Sequence, residues 1–313
     1  MSKPIVCLMG PTASGKTALA CDLVQQFPCE IISVDSAMIY RGMDIGTAKP
    51  DAETLMRAPH HLVDILDPSD SYSAAQFCSD TITLCESIIR QGKIPLLVGG
   101  TMMYFHALQH GMSALPKADE PTRELLTQQA QMHGWPYMHQ LLAEVDPKAA
   151  IRIHPHDAQR IQRALEVYQL TGKPMSTFLS DKSTESTHAF VNFILFPDDR
   201  AWLHQRIALR FEQMLKDGLV DEVRGILAKW NLSASHPAMR CVGYRQVFDY
   251  LQGESDSASL CAKGIAATRQ LAKRQLTWLR HWTDGHRFVA ENPVSVDGVV
   301  ALMKQILDND VIL

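Results

Sequence analysis

Residues 4–17 read PIVCLMGPTASGKT, an apolar run that stops at a Gly-Pro pair and passes through a glycine-bearing turn into a helix-forming stretch. Gly10, four further residues, then Gly15, Lys16 and Thr17 satisfy G-x-x-x-x-G-K-[ST], and the strand before and helix after supply the setting that pattern needs. Gly10, Pro11, Thr12, Ala13, Ser14, Gly15, Lys16 and Thr17 are therefore the candidate diphosphate- or nucleotide-binding loop. Its backbone N–H groups turn inward at phosphate oxygens, assisted by the positive end of the helix that starts near Lys16. Lys16 adds a point charge and Thr17 a hydroxyl ligand for Mg²⁺. An unliganded glycine turn would leave Lys and Thr in register without a reason. The loop does not say which di- or triphosphate it holds. Neither N-K-x-D nor a D-x-x-G switch occurs in the chain, which speaks against GTP, whereas small-molecule kinases share this strand and loop and stay open.

Working outward, EIISVDS at 30–36, HLVDIL at 61–66 and IPLLVGG at 94–100 join the first strand as short apolar runs of the kind buried on both faces. Helical stretches at 16–27 and 74–91 alternate with them, so the fold class expected is α/β, a P-loop-type parallel sheet with helices on both faces. After Gly111 the strand-like runs stop and prolines recur (Pro116, Pro121, Pro136, Pro147, Pro155, Pro174), which reads as a helical insertion domain at 116–188. Its last part, SDKSTESTH at 180–188, reads as a linker. FVNFILFP at 190–197 returns to the sheet, giving a catalytic core of 1–115 and 189–313. In the last third, Leu203, Ile207, Phe211 and Met214 make one apolar helix face with Asp198 or Asp199 as N-cap, and 264–282 is another long helix.

The chain has 313 residues, 46% hydrophobic and 20% charged, an ordinary globular composition. Its net charge of −4 announces no nucleic-acid partner, so any basic surface must be local. Seven cysteines without a C-x-x-C suggest neither a disulfide framework nor a zinc cassette, and a reducing cytoplasm fits best. No apolar stretch approaches the ~20 residues of a membrane span.

Asp35 ends the second strand, which is expected beside the first, at the edge where open α/β sheets bind ligands. A carboxylate next to bound phosphates is repelled by them, so it needs a cationic partner or a job. General base, Mg²⁺ or second-sphere ligand, and helix cap are all open readings. Between 260 and 290 there are six Lys or Arg against one acid, Asp284. At about 100° per residue, Arg269, Lys273 and Arg280 fall within roughly 40° of one another, a basic stripe that is either an RNA-facing surface or a solvated face. Trp278 and Trp282 lie in the same stretch, as RNA contacts or as core. Arg152, Arg160 and Arg163 form a second basic cluster behind HPHD at 154–157, where a turn with Asp157 as N-cap is a better reading than a His154/His156 metal site. Arg206 and Arg210 share a helix face, free for a ligand or paired with acids such as Glu212.

Six blocks in order, GPTASGKT, SVDSAMIYRGMDIGTAKP, IPLLVGGTMMYF, HDAQRIQRALEVYQLTGK, RCVGYRQ and ATRQLAKRQLTWLR, span nearly the whole chain and resemble the bacterial tRNA dimethylallyltransferase (isopentenyltransferase) family. The resemblance implies transfer of a dimethylallyl group from dimethylallyl diphosphate to N6 of the adenosine on the 3′ side of the anticodon. It implies that the loop through Thr17 holds the diphosphate with Mg²⁺, that Arg210 reaches the diphosphate, and that Asp35 takes the proton of the attacking amine. Ser36, Ala37 and Met38, where many members carry Gln, would line the target-base pocket, and Thr101 would face the reaction centre. Arg123 would touch RNA from the insertion. Further RNA contacts are implied for Gln159, Arg160, Ile161, Gln162 and Arg163, for Arg240, Cys241, Val242, Gly243, Tyr244 and Arg245, and for Lys273, Arg274, Gln275, Leu276, Thr277, Trp278, Leu279 and Arg280. The expected partners are the anticodon stem-loop of tRNA and dimethylallyl diphosphate, with no membrane, for a cytoplasmic monomer. A small-molecule kinase and a non-catalytic tRNA-binding adaptor are the competing classes.

Overall fold

The structure is a computed structural model that describes residues 3–113, 115–180 and 188–308. It divides into two compact units, Met1–Gln109 with Thr187–Leu313, and His110–Ser186. The first runs β1 (Ile5–Met9), α1 (Lys16–Gln26), β2 (Cys29–Val34), α2 (Ala52–Arg57), β3 (His60–His61), α3 (Ala74–Arg90), β4 (Ile94–Gly99) and α4 (Met102–His110). The second holds α5 (Glu120–His133), α6 (Trp135–Val145), α7 (Pro147–Arg152), α8 (Ala158–Thr171) and α9 (Met175–Ser180). The first unit resumes with β5 (Phe190–Phe196), α10 (Arg200–Lys216), α11 (Leu219–Lys229), a 3₁₀ turn at Ala238–Arg240, α12 (Tyr244–Leu251), α13 (Ser257–His281), β6 (His286–Val289) and α14 (Pro293–Asp308).

Among the described residues the strands form one six-stranded, all-parallel sheet in the order β3-β2-β4-β1-β5-β6. Every residue of β1 and β4 is buried, as continuous apolar runs covered on both faces require. Along β1, Ile5, Cys7 and Met9 join one apolar layer with Phe77, Tyr104, Phe105 and Leu279, while Val6 and Leu8 join the other with Leu19, Leu23 and Met303. A slip of one residue would exchange the two sets, so the register is specified by both layers at once.

Two strand expectations are corrected. The second strand does not lie beside the first: β4 sits between them, paired to β1 from Val6↔Leu96 to Met9↔Gly99 and to β2 from Cys29↔Ile94 to Val34↔Gly99. Long-range pairing, not chain order, decides that placement. The run 61–66 is a strand only at its start. Leu62 (φ 61°) and Asp64 (φ 55°) turn the chain into the left-handed region, and Ile65 and Leu66 then bond the main chain of Ile39. The strand β6 is short and carries His286 and Arg287, so no apolar run announces it. The linker reading of 180–188 falls largely on 181–187, outside the described residues. No described helix is long and apolar enough to cross a membrane.

In the second unit Leu126, Ala130, Met138, Leu142, Ile161, Ala164 and Leu165 close a separate apolar core. Asp119, Asp146 and Asp157 cap α5, α7 and α8, each accepting from a backbone N–H of the first turn.

Candidate active site

The phosphate loop leaves β1 at Met9 and enters α1 at Lys16 through Gly15, whose φ of 94° only glycine holds without strain. No side-chain cap bond closes the start of α1, so its first-turn N–H groups keep their capacity for another acceptor. Ser14 Oγ donates to the Pro11 carbonyl at 2.8 Å, and Lys16 Nζ donates to the same oxygen at 2.6 Å. Burial and the nearby Arg210 cation push the Lys16 ammonium down to about 7, with Asp35 opposing them. Two arginines of α10 complete the cationic side. Arg206 Nε donates to the Ala13 carbonyl at 2.8 Å with its guanidinium 4.9 Å from the Trp202 ring, and Arg210 Nη2 donates to the Thr47 carbonyl at 3.3 Å. Burial lowers the Arg210 pKa, Asp35 opposing it and Arg206 adding to it. No ion pair among the described residues involves Lys16, Arg206 or Arg210, so pairing with Glu212 is not found.

Asp35 follows β2 at the same carboxyl edge. Its Oδ1 accepts from the N–H groups of Ala37 (2.8 Å) and Met38 (3.3 Å), and both described bonds fall on that one oxygen. No helix follows Asp35, since the next one, α2, is capped by Asp51, so the helix-cap reading is corrected: Oδ1 closes a local turn, which leaves the other carboxylate oxygen unspent. Thr101 ties the ends of β2 and β4: its Oγ1 accepts from Ser36 N–H at 3.2 Å and its N–H donates to the Val34 carbonyl at 3.3 Å. Met38 is half-buried and its sulfur takes the Ser33 hydroxyl at 3.9 Å. Burial first, then the Asp35 charge, pushes both the Cys241 thiol and the Tyr104 phenol up to about 12, so these two neighbours of Asp35 are neutral at pH 7. A carboxylate, a cationic anion cradle and an apolar flank at one sheet edge can hold a phosphorylated electrophile and deprotonate a nucleophile.

A family model described as IPP transferase matches residues 38–282. The chain is 57% identical over 311 residues to the tRNA dimethylallyltransferase of Legionella pneumophila (strain Corby), covering 99% of each. It is 54% identical over 303 residues to that of Coxiella burnetii (strain Dugway 5J108-111), covering 96% of this chain and 97% of the relative.

The chain belongs to the IPP transferase family.

Two solved structures agree. The tRNA isopentenylpyrophosphate transferase of Bacillus halodurans matches with a TM-score of 0.71 at 34% identity over 98% of this chain and 97% of that one. A eukaryotic dimethylallyltransferase acting on tRNA matches with a TM-score of 0.81 at 25% identity over 98% and 80%. As a member of the IPP transferase family the chain is a prenyl-transferring enzyme, which removes the kinase and the non-catalytic adaptor.

The IPP transferase segments expected to meet RNA divide by burial. On α13, Arg269, Lys273, Arg274, Thr277, Trp278 and Arg280 are exposed, whereas Gln275, Leu276 and Leu279 are buried and are withdrawn as RNA contacts, as helical periodicity requires of a packed helix. Trp278 is exposed beside the His106 ring at 5.6 Å and Trp282 belongs to the core. In RCVGYRQ, Arg240 is exposed, Cys241 and Val242 are half-buried, and Arg245 pairs with Asp249 at 2.8 Å. Gly243 and Tyr244 are buried and are likewise withdrawn. Tyr244 donates its hydroxyl to Glu222 Oε1 at 2.5 Å, and Glu222 also accepts from the N–H groups of Asp44, Ile45 and Gly46, which fixes the loop that presents the Thr47 carbonyl to Arg210.

In the helical unit Gln159 and Arg160 are exposed, and Ile161 is buried in the core and withdrawn. The fully buried Glu166 takes Arg123 Nε at 2.9 Å, Arg163 Nη1 at 2.6 Å and the Asp119 N–H at 2.8 Å. Arg163 Nη2 also donates to the Pro116 carbonyl at 2.5 Å, and Gln162 donates to the Arg123 carbonyl at 3.1 Å. His154 and His156 lie in the turn before Asp157, and the described residues contain no group of three or more His, Cys, Asp or Glu placed to hold a metal.

Proposed function

We propose that this prenyl transferase moves the dimethylallyl group of dimethylallyl diphosphate to N6 of the adenosine 3′ to the anticodon in tRNA. The observation that carries the reading is Asp35, held by the Thr101 turn at the sheet edge where the charges of Lys16 and Arg210 act on it. The diphosphate would lie on the loop ending at Thr17, on backbone N–H groups after Thr12, whose own N–H is taken by Gln275 Oε1, with Lys16, Arg206 and Arg210 around it. The N6 lone pair attacks C1 of the dimethylallyl group, the C1–O bond breaks, and diphosphate leaves with that electron pair. The charge growing on the diphosphate falls on groups already in place, which costs no reorganisation at the moment of reaction. Asp35 takes the proton the amine sheds, through the oxygen not spent on the Ala37–Met38 turn.

Mg²⁺ is the metal we assign. The Thr17 hydroxyl, a hard oxygen exposed at the start of α1, fits it, with the diphosphate supplying further ligands. When bound it would neutralise charge on the diphosphate oxygens. RNA contact is assigned to the exposed basic groups: Arg240 and the α13 stripe in one unit, Arg123, Gln159 and Arg160 in the other.

The test is a label-transfer assay with unmodified tRNA, dimethylallyl diphosphate labelled in the prenyl group, and ATP labelled in the γ-phosphate. Prenyl label is expected on one adenosine of the anticodon loop and none from ATP. Label from ATP in the RNA, or no transfer from the prenyl donor, would overturn the reading.

A further inference from the structure

Gln275 sits on α13 with 8% of its surface exposed, and both ends of its amide are used. Oε1 accepts from the N–H of Thr12 in the phosphate loop at 2.8 Å, and Nε2 donates to the Gly100 carbonyl at 2.9 Å. These partners fix the amide's orientation, because an N–H can only donate and a carbonyl can only accept. The approach is tight. A Cβ at Gly100 would stand 2.4 Å from Nε2, so a side chain there would push the amide off its carbonyl. Residue 101 follows directly, and its hydroxyl receives Ser36 N–H beside Asp35. One side chain therefore joins the diphosphate loop to the turn that carries the base, across 263 residues of sequence. Around α13, at about 100° per residue, Arg269, Lys273 and Arg280 lie roughly 120–160° from Gln275, so the exposed basic stripe and the brace occupy opposite sides of one helix. Leu276 and Ala272 pack against Leu203, Ile207 and Ala13, which seats that helix against the loop.

We infer that Gln275 is a positioning residue that couples RNA engagement on α13 to the arrangement of the diphosphate loop and of the Asp35–Thr101 turn. The inference rests on the function proposed above. RNA held by the stripe fixes α13, α13 fixes the Thr12 amide and the Gly100 carbonyl, and the loop meets the donor already aligned with the base. Coupling of this kind is reciprocal: RNA tightens the donor by the factor by which the donor tightens RNA.

The experiment measures binding of a sulfur-bridged, non-transferable dimethylallyl diphosphate analogue by calorimetry, with and without a saturating unmodified anticodon stem-loop, alongside kcat and both KM values on tRNA. Wild type is expected to gain donor affinity with RNA present by a factor in the range of about 5 to 150. Gln275→Met, near-isosteric and unable to bridge, should bind each ligand alone within about threefold while the coupling factor falls towards one. Its kcat should fall about 10²-fold at nearly constant KM for tRNA, the scale of a misplacement near 1 Å. Gln275→Glu keeps the Thr12 bond and loses the donor to Gly100; its added charge should weaken the donor alone, while the coupling factor and kcat fall as in the methionine variant, which covers the case of an unfolded methionine variant. A wild type that transfers prenyl groups without any coupling, or a folded variant that keeps both coupling and kcat, would overturn the inference. A wild type that transfers no prenyl group would strike the proposed function instead.

Discussion

In the helical unit Arg123 and Arg163 converge on the buried carboxylate of Glu166, whereas around the phosphate loop Lys16, Arg206 and Arg210 donate to the carbonyls of Pro11, Ala13 and Thr47. The two arrangements put similar side chains to opposite uses. A guanidinium against a buried carboxylate is largely neutralised, and its bonds serve the fold. A cation resting on backbone carbonyls meets no neutralising counter-charge and bears the cost of desolvation, which is visible in the Lys16 ammonium pushed down to about 7. Cations kept open in this way await an anion, and those spent on Glu166 do not. Arg123, with a side chain 37% exposed, is the intermediate case, anchored on Glu166 and still reachable from solvent.

The comparison breaks most visibly at Asp35, the charged group that faces the open cations without being consumed by them. Asp35→Ala should lower the single-turnover rate of prenyl transfer by about 10²- to 10⁴-fold, the usual worth of a positioned general base. Donor and tRNA affinities should change far less. An unchanged single-turnover rate would reduce Asp35 to the cap of the Ala37–Met38 turn.

Glu166 tests the other side. Glu166→Ala strands two guanidinium groups and the Asp119 N–H at once. Loss of a partner from a buried pair costs about 3–5 kcal/mol, and the partial exposure of both arginines reduces that here to roughly 2–4 kcal/mol. Denaturant unfolding should register it, with donor affinity unchanged. Burial alone would raise the Glu166 carboxyl, but the bonds from Arg163, Asp119 N–H and Arg123 outweigh it and hold it below its ordinary value of 4.5. The contribution is therefore present above about pH 4.5 and is lost as pH falls through the lower folded value. A stability profile flat down to pH 3 would contradict this.

These contrasts were unequally legible in the sequence. Gly10 to Thr17 is contiguous, so its spacing alone yields the loop, and Asp35 follows an apolar run that marks its strand. The helix face Leu203, Ile207, Phe211 and Met214 is periodic and is buried as read. Placement of β4 between β1 and β2 depends on pairing between distant segments, which no local pattern encodes. Gln275 reads locally as no more than a polar residue in a basic helix, and the family resemblance groups it with the RNA contacts. Its partners lie 263 and 175 residues away. Glu166 carried a weak signal, an acid between Leu165 and Val167 on the apolar face of α8, where a charge without partners would be too costly.

The open cations also predict a pH effect on the donor. Lys16 in the free enzyme titrates near 7, and only its protonated form attracts the diphosphate, so binding should draw a proton onto it as pH rises past that value. Affinity for the non-transferable analogue should then fall above pH 7, approaching about tenfold per pH unit. Calorimetry at pH 8 in buffers of different ionisation enthalpy should report uptake of up to one proton. Lys16→Gln should bind more weakly and lose the slope; a slope that persists in that variant would belong to another group.

The smallest effect separates the two kinds of arginine directly. Replacing Arg269, Lys273 and Arg280 by Gln removes three exposed charges from α13 and no described ion pair, so stability should move by less than about 0.5 kcal/mol. If those side chains meet phosphates, each lost contact lowers the salt slope of tRNA binding by about 0.7 to 0.9. The triple variant should therefore show a plot of log affinity against log salt flatter by roughly 2 to 3. Arg163→Gln gives the matching control. Its guanidinium is committed to Glu166 and to the Pro116 carbonyl, so it should cost stability and leave the slope nearly unchanged. If Arg163→Gln flattened the salt dependence as much as a stripe substitution does, the division between spent and open cations would fail in the helical unit. Arg163 would then have to leave Glu166 when RNA binds.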